Sequence, residues 1–377
     1  MTESATPIYL DYNATTPVDP RVAKAMLPYL QDHFGNPSSG HVYGQATRQA
    51  VDRAREHVAR LIGCETHELI FTSGGTESNN FAIKGAAMAR RSKGNHIITS
   101  AIEHPAVTEV CRWLQTQDFD ITCLPVDQYG QVSVDDVANA IRPTTTLITV
   151  MHSNNEVGTL QPVRSIAALA RPHGILVHTD CAQSIGKVPL KVGDLDIDLL
   201  SIAGHKLYAP KGVGALYIRD GVTLEKLMHG ADHEQNRRAG TENVLEIVGL
   251  GEAARLIVEK EADFADHLRT LRDQLEQGLR SRFPDIHING HPTERLPNTC
   301  SVSFPGREAN QILDRLTGVA ASAGAACHSD GVTVSAVLQA MQVPKEIAMG
   351  TLRLSVGRFT TEAEIDRAIE ELARILA

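Results

Sequence analysis

Cysteine is sparse and unpatterned in this chain. There are six in 377 residues, with no CxxC and no regular spacing. That suits reduced thiols in a cytosol-like compartment better than a disulfide framework or a zinc site. Positive charge is short as well: 36 basic residues against 45 acidic give a net charge of -9, which argues against a nucleic-acid-binding surface. The opening MTESATPIYLDYNATTP has neither a basic region nor a long apolar run. No signal peptide, transmembrane span or membrane partner is therefore expected, and the chain reads as cytoplasmic. Internal repeats and low-complexity stretches are lacking too, and no metal site is expected. The remaining composition, 42% hydrophobic and 21% charged, is that of an ordinary globular protein. Its length suits one large domain plus a smaller one, because single cores stop growing near about 250–300 residues.

Two apolar runs between Gly174 and Gly214 organise the reading. ILVHTD ends in Asp180, and DLLSIAGHK ends in Lys206. Strands buried on both faces read as uninterrupted apolar runs, and open α/β sheets bind ligands beyond the carboxyl ends of their strands. Asp180 and Lys206 fall at that edge. A lysine that forms a Schiff base and an acid that keeps a ring nitrogen protonated are what pyridoxal phosphate requires. A strand-end Asp or Lys is otherwise solvated or ion-paired, so the pair alone does not decide.

Further segments deliver polar groups to the same edge. In ELIFTSGGTESNNFAIKGAAMAR the pattern predicts strand, turn and helix, with Gly74 and Gly75 admitting an anion and Thr76 at the N-cap. The GK[ST] ending of a nucleotide-binding loop is missing here, and a capped helix start without ligand is the alternative. NHIITSAIEHPAV puts His104 at a turn into a helix, where a structural role is the alternative. TTLITVMHSNNEVG brings Asn154, Asn155 and Glu156. Amphipathic spacing predicts a helix from Gln45 to Ile62 and another from Leu245 to about Arg282, the latter leading out of the large domain. HGADHEQNRRAGTEN reads as a long surface loop. In the last part, GVAASAGAACHSDG places Cys327 on or beside an exposed, mobile loop, and TLRLSVGR puts Arg353 and Arg358 on an apolar strand. Each arginine needs an anion, either a substrate carboxylate or a structural ion-pair partner.

The pieces YLDYNATTPVDPRV, FTSGGTESNN, AIEHPAV, NNEVGTLQPV, HTDCAQSIGK, GHKLYAPKGVGALYIR, RAGTENV, AGAACHS and LRLSVGRFT together resemble the cysteine desulfurases and selenocysteine lyases of the class V aminotransferase superfamily. The resemblance implies an α/β fold, type I of the pyridoxal-phosphate enzymes. Its large domain, at 15–260, has a mostly parallel central sheet flanked by helices. A smaller α/β domain, from 1–14 and 261–377, carries the cysteine loop. By the same resemblance Lys206 is the Schiff-base lysine, Asp180 the partner of the pyridine nitrogen, and His104 stacks on the ring and serves as acid or base. Gln183 and Asn155 lie near the ring hydroxyl. Gly75, Thr76 and His205 hold the phosphate, Thr241 reaches it from the neighbouring subunit of a homodimer, and Arg353 with Asn155 binds the α-carboxylate of L-cysteine. Cys327 accepts sulfur as a persulfide for an acceptor protein. Ala203 departs from the pattern, in which a serine hydroxyl contacts the phosphate. AACHSDG lies nearer to selenocysteine lyases, which keeps that activity as an alternative beside a small-molecule transaminase or an inactive scaffold.

Overall fold

The computed structural model describes residues 6–328 and 331–376, and at 325–328, 331 and 332 the backbone alone. Seven short strands make the main sheet: β1 (Leu69–Thr72), β2 (His96–Ser100), β3 (Asp120–Leu124), β4 (Thr145–Thr149), β5 (Leu176–Asp180), β6 (Leu199–Ala203) and β7 (Gly214–Ile218). Their order is β1-β7-β6-β5-β4-β2-β3. β2 to β6 run parallel, and β7 alone is antiparallel to its neighbours. Every residue of each strand but β3 is buried, as expected where helices cover both faces. Alternate residues feed two separate cores. Ile98, Ile148, Val177 and Leu200 face one, whereas Ile97, Leu147, Leu176 and Leu199 face the other.

Helices α1 (Pro20–Gln31), α2 (Val42–Ile62), α3 (Gly75–Ala89) and α4 (Pro105–Gln115) precede the centre of the sheet in sequence, and α5 (Val244–Arg282) follows it. α2 starts three residues before the predicted Gln45, because His41 caps it with a ring nitrogen that accepts from the Gly44 amide, and it stops at Gly63, whose φ of 72° is left-handed. α5 runs as predicted, with one non-helical residue, Lys260, at φ -140°. On one side of that break Ile247, Leu250, Ala254 and Ile257 join the larger core. On the other, Leu268, Leu271, Leu275 and Leu279 pack in a third core with Ile8 and Leu10. One helix thus spans two hydrophobic cores.

The third core backs an antiparallel sheet of β8 (His287–Asn289), β9 (Thr299–Ser303), β10 (Ser322–Ala323) and β13 (Thr351–Ser355), in the order β10-β13-β9-β8. Between β10 and β13 the chain forms a two-stranded antiparallel ribbon, β11 (Ala325–His328) and β12 (Gly331–Val334). The closing helix α6 (Glu362–Leu376) buries Ile365, Ala368, Ile369 and Leu372 on one face. The architecture is α/β, a mostly parallel helix-flanked sheet plus a smaller α/β unit.

Candidate active site

The carboxyl ends of β5 and β6 open into a cavity of about 350 Å³. Nine predicted site residues line it, Gly75, Thr76, His104, Asn155, Asp180, Gln183, His205, Lys206 and Arg353, and so does Ala203, the position that departs from the family pattern. Asp180 is the last residue of β5. Its Oδ2 accepts from Asn79 Nδ2 at 2.7 Å and its Oδ1 from the Ala182 amide at 2.9 Å, so two donors fix the carboxylate at the cavity wall. Lys206 follows β6 in a single 3₁₀ turn. Its amine donates to the carbonyls of Asn13 and Ala14. Burial, reinforced by the Arg353 cation, pushes this amine down to about 8.

The helix start beside them is an anion cradle. Gly74, at φ 143°, is the N-cap of α3, a backbone conformation that favours glycine. The first amide in the helical ladder is that of Ser78, on the Gly74 carbonyl, so the N–H groups of Gly75, Thr76 and Glu77 are left for an outside acceptor. Thr76 is therefore in the first turn and not at the N-cap predicted from sequence, because the flexible Gly74 takes that place. A Cβ on Gly75 would come within 3.2 Å of the Ala203 Cβ. His205 closes this corner with Nδ1 3.1 Å from the Thr15 hydroxyl, and burial first, then Lys206, lowers its imidazole to about 4.

His104 caps α4 as expected, its Nδ1 accepting from the Ala106 amide at 3.1 Å. That bond leaves Nε2 for the cavity. Burial lowers this imidazole, while Asp180 opposes the shift and Lys206 adds to it. Arg353, on β13, has the structural ion-pair partner that an arginine in an apolar strand needs, and it also lines the cavity. It pairs with Asp11 at 2.8 Å and donates to the Asn155 carbonyl at 3.1 Å, while its buried Nε has no partner.

Other predicted positions fall elsewhere. Asn154 turns away from the cavity to bond the Ile102 carbonyl and to accept from the amides of Glu156 and Val157. The Glu156 carboxyl bonds Ser335, and burial raises it. Arg358 lies beyond β13, not on it, and no ion pair holds it among the described residues. Its guanidinium sits 4.4 Å from the Tyr208 ring centroid and 4.1 Å from that of Phe264, so aromatic faces replace the expected anion. Thr241 borders a separate depression with Ser73, Arg238 and Gly240. The loop around it is anchored by buried Glu234, which pairs with Arg55 at 2.8 Å and accepts from the Phe71 amide. The thiol of Cys327, expected on or beside an exposed, mobile loop, lies outside the described residues. The backbone there is in β11, opposite Val332.

Sequence reasoning missed Asn13 and Asn79. Asn79 stands one helical turn after Thr76, a spacing that signals a shared face. Asn13 is the hub of the site. Its carbonyl accepts from Gln183 and Lys206, its Oδ1 from Lys187 and Asn298, and its Nδ2 donates to Thr299 and the Asn155 carbonyl.

An amine, an acid, an imidazole and a free helix N-terminus around one cavity are the groups pyridoxal phosphate needs for its aldehyde, ring nitrogen, ring face and phosphate. The donor set fits that cofactor. Comparisons with known proteins agree. The chain is 50% identical over 371 residues to "Cysteine desulfurase IscS" of Methanosarcina thermophila, covering 98% of this chain and 92% of that one. Its fold matches a NifS-like protein at a TM-score of 0.93 with 36% identity, covering 98% of this chain and 99% of that one. It also matches SspA in complex with cysteine at 0.81 with 37% identity, covering 94% and 100%. The aminotransferase class-V model matches residues 8–368, and with that span and this site the chain belongs to the class V aminotransferase family.

Proposed function

We propose that this protein is a pyridoxal-phosphate-dependent cysteine desulfurase, which converts L-cysteine to L-alanine and moves the sulfur to Cys327 as a persulfide and then to an acceptor protein. The observation that carries this reading is the convergence of Lys206, Asp180, His104 and Arg353 on one cavity at the sheet's carboxyl edge. When bound, the cofactor supplies an electron sink for the substrate α-carbon. Lys206 would tether it, and its free amine would move the substrate α-proton. Asp180 faces the ring nitrogen. Thr76, the Gly75 backbone and His205 hold the phosphate, with Gln183 and Asn155 beside the ring oxygen. Arg353 and Asn155 bind the substrate carboxylate. His104, with Nε2 toward the cavity, would cover the ring face and exchange a proton with the departing sulfur. The Cys327 thiolate attacks the substrate sulfur as the carbon–sulfur bond breaks, so that alanine leaves after the carbon is protonated.

The same reading places the enzyme in the cytoplasm as a homodimer in which Thr241 reaches the phosphate of the neighbouring subunit. It divides the chain into a large domain at 15–260 and a small one at 1–14 and 261–377. Exposed apolar side chains support the dimer: Leu27 and Leu30 on α1, Phe34 in the connection that follows, and Val42 and Tyr43 at the start of α2, with Phe34 stacked on Tyr43 at 5.4 Å. Iron–sulfur cluster assembly, tRNA thiolation and DNA phosphorothioation are the pathways that take sulfur from such an enzyme.

Lys206→Ala should lose the visible absorbance of bound cofactor and all alanine formation. Cys327→Ser should keep the absorbance and lose persulfide transfer, and full desulfuration by that variant would remove Cys327 from the mechanism. The segment AACHSDG favours selenocysteine lyase as the second reading. A Cys327→Ser enzyme that still turns over selenocysteine, but not cysteine, would support it.

A further inference from the structure

The reaction above leaves one buried amine without a role. Lys187 is 6% exposed, and its Nζ donates to Gln183 Oε1 at 2.8 Å and to Asn13 Oδ1 at 3.2 Å. No ion pair holds it among the described residues. The charged groups that act on it are Lys206, Arg353 and Arg358, all cations, and burial followed by these three drives its amine well below the usual lysine range. Two amide oxygens match the two N–H donors of a neutral amine, whereas an ammonium would leave a third buried donor without a partner.

This contact decides something Gln183 cannot decide for itself. The two ends of a carboxamide have nearly the same shape, so its orientation is set by its neighbours. With Lys187 donating to Oε1, the other end must be the NH₂. One of its hydrogens goes to the Asn13 carbonyl at 2.9 Å. The second is left for the cavity that Gln183 lines.

We propose that Lys187 is a positioning residue that locks the Gln183 amide with its N–H end toward the cavity, so that Gln183 donates a hydrogen bond to the ring oxygen of bound pyridoxal phosphate. The inference rests on the cofactor reading above. A donor there favours the deprotonated ring oxygen and so lowers the pH at which the bound cofactor's visible absorption changes.

Lys187→Met keeps the length of the side chain and removes the donor. Three quantities are measured: the pH midpoint of the visible absorption in the holoenzyme, the dissociation constant of pyridoxal phosphate from quenching of protein fluorescence, and the melting temperature of the apoprotein. The midpoint should rise by about one unit and the cofactor should bind about tenfold more weakly, the loss expected for one oriented hydrogen bond. The apoprotein should melt no lower than wild type, since a buried amine has been removed. On a Gln183→Leu background the same substitution should shift the midpoint no further. If Lys187→Met does not fold, Lys187→Gln, which retains an N–H end, provides the test and should give a smaller shift of the same sign. A midpoint and dissociation constant within about twofold of wild type, or a full further shift on the Gln183→Leu background, would overturn the proposal. A wild-type protein that stays colourless with pyridoxal phosphate would instead overturn the cofactor reading.

Discussion

Lys206 owes its reactivity to its surroundings. In water a lysine amine titrates near 10.4, but here burial and the nearby Arg353 bring it down to about 8. The apoprotein should therefore capture pyridoxal phosphate at a rate that climbs with pH through a midpoint near 8, as read by stopped-flow absorbance. The same shift makes a stability statement. Between pH 8 and 10.4 the unfolded chain holds a proton that the folded chain has released, so the Lys206 contribution to stability rises with pH across that window. Arg353 should separate binding from cofactor chemistry. Arg353→Gln removes the guanidinium that pairs with Asp11 and faces the cavity. It should raise the KM for cysteine by about 10- to 100-fold, the loss of a charge-assisted carboxylate contact, while leaving the visible absorbance in place. Ala203 invites the opposite experiment. It is buried in the cavity lining beside Gly75, and with the phosphate held there as proposed, Ala203→Ser should tighten cofactor binding, measured by equilibrium dialysis, by about the several-fold that one added hydrogen bond supplies.

The main sheet is stitched by histidines that accept no charge. His178, on β5, bonds the Thr149 hydroxyl of β4 at 2.8 Å and the Ser201 hydroxyl of β6 at 3.0 Å. His96, on β2, does the same with Thr145 of β4 and Thr122 of β3. Burial lowers His178 to about 3 and His152, which bonds Ser184 at 2.7 Å, to about 4. An unfolded histidine titrates near 6.5. The neutral folded rings therefore contribute stability that is complete above pH 6.5 and is lost as the pH falls toward their folded values, because the unfolded chain then gains the protons first. For His152 alone the loss by pH 4 amounts to about 3 kcal/mol. Urea titrations should show the wild-type midpoint falling from pH 7 to 4.5. His152→Asn, which keeps a polar partner for Ser184 without titrating, should fall less steeply.

At the scale of the whole molecule, one face is unlike the rest. Leu30, Phe34 and Val42 are 67%, 77% and 71% exposed, an apolar exposure that a stable monomer rarely carries. On the proposed homodimer reading, Leu30→Glu with Val42→Glu should move the protein from dimer to monomer in sedimentation velocity. Thr241 lies away from its own chain's cavity, so the monomer should also retain pyridoxal phosphate less well. Asn13 hydrogen-bonds Gln183 and Lys187 beside the main sheet as well as Asn298 and Thr299 at β9. Asn13→Ala should accordingly weaken cofactor binding and lower the melting temperature together.

The elements that carry the chemistry were legible in the sequence because local physics writes them there. Strands buried on both faces must be apolar throughout, so LVHTD and LLSIA announced β5 and β6, and Asp180 and Lys206 stood out where those runs ended. The helical period of α2 and of α5 was equally plain. What the chain does across long separations was not. Arg353 meets Asp11 from 342 residues away, and Asn13 reaches Lys187 and Thr299 across 174 and 286. No spacing rule encodes such contacts, because they depend on how two cores pack against each other. The sequence alone therefore determined the kinds of groups at the sheet's edge. Only the tertiary structure decided their partners, down to which end of the Gln183 amide faces the cavity, since hydrogen-bond direction is set by neighbours that folding brings from far along the chain.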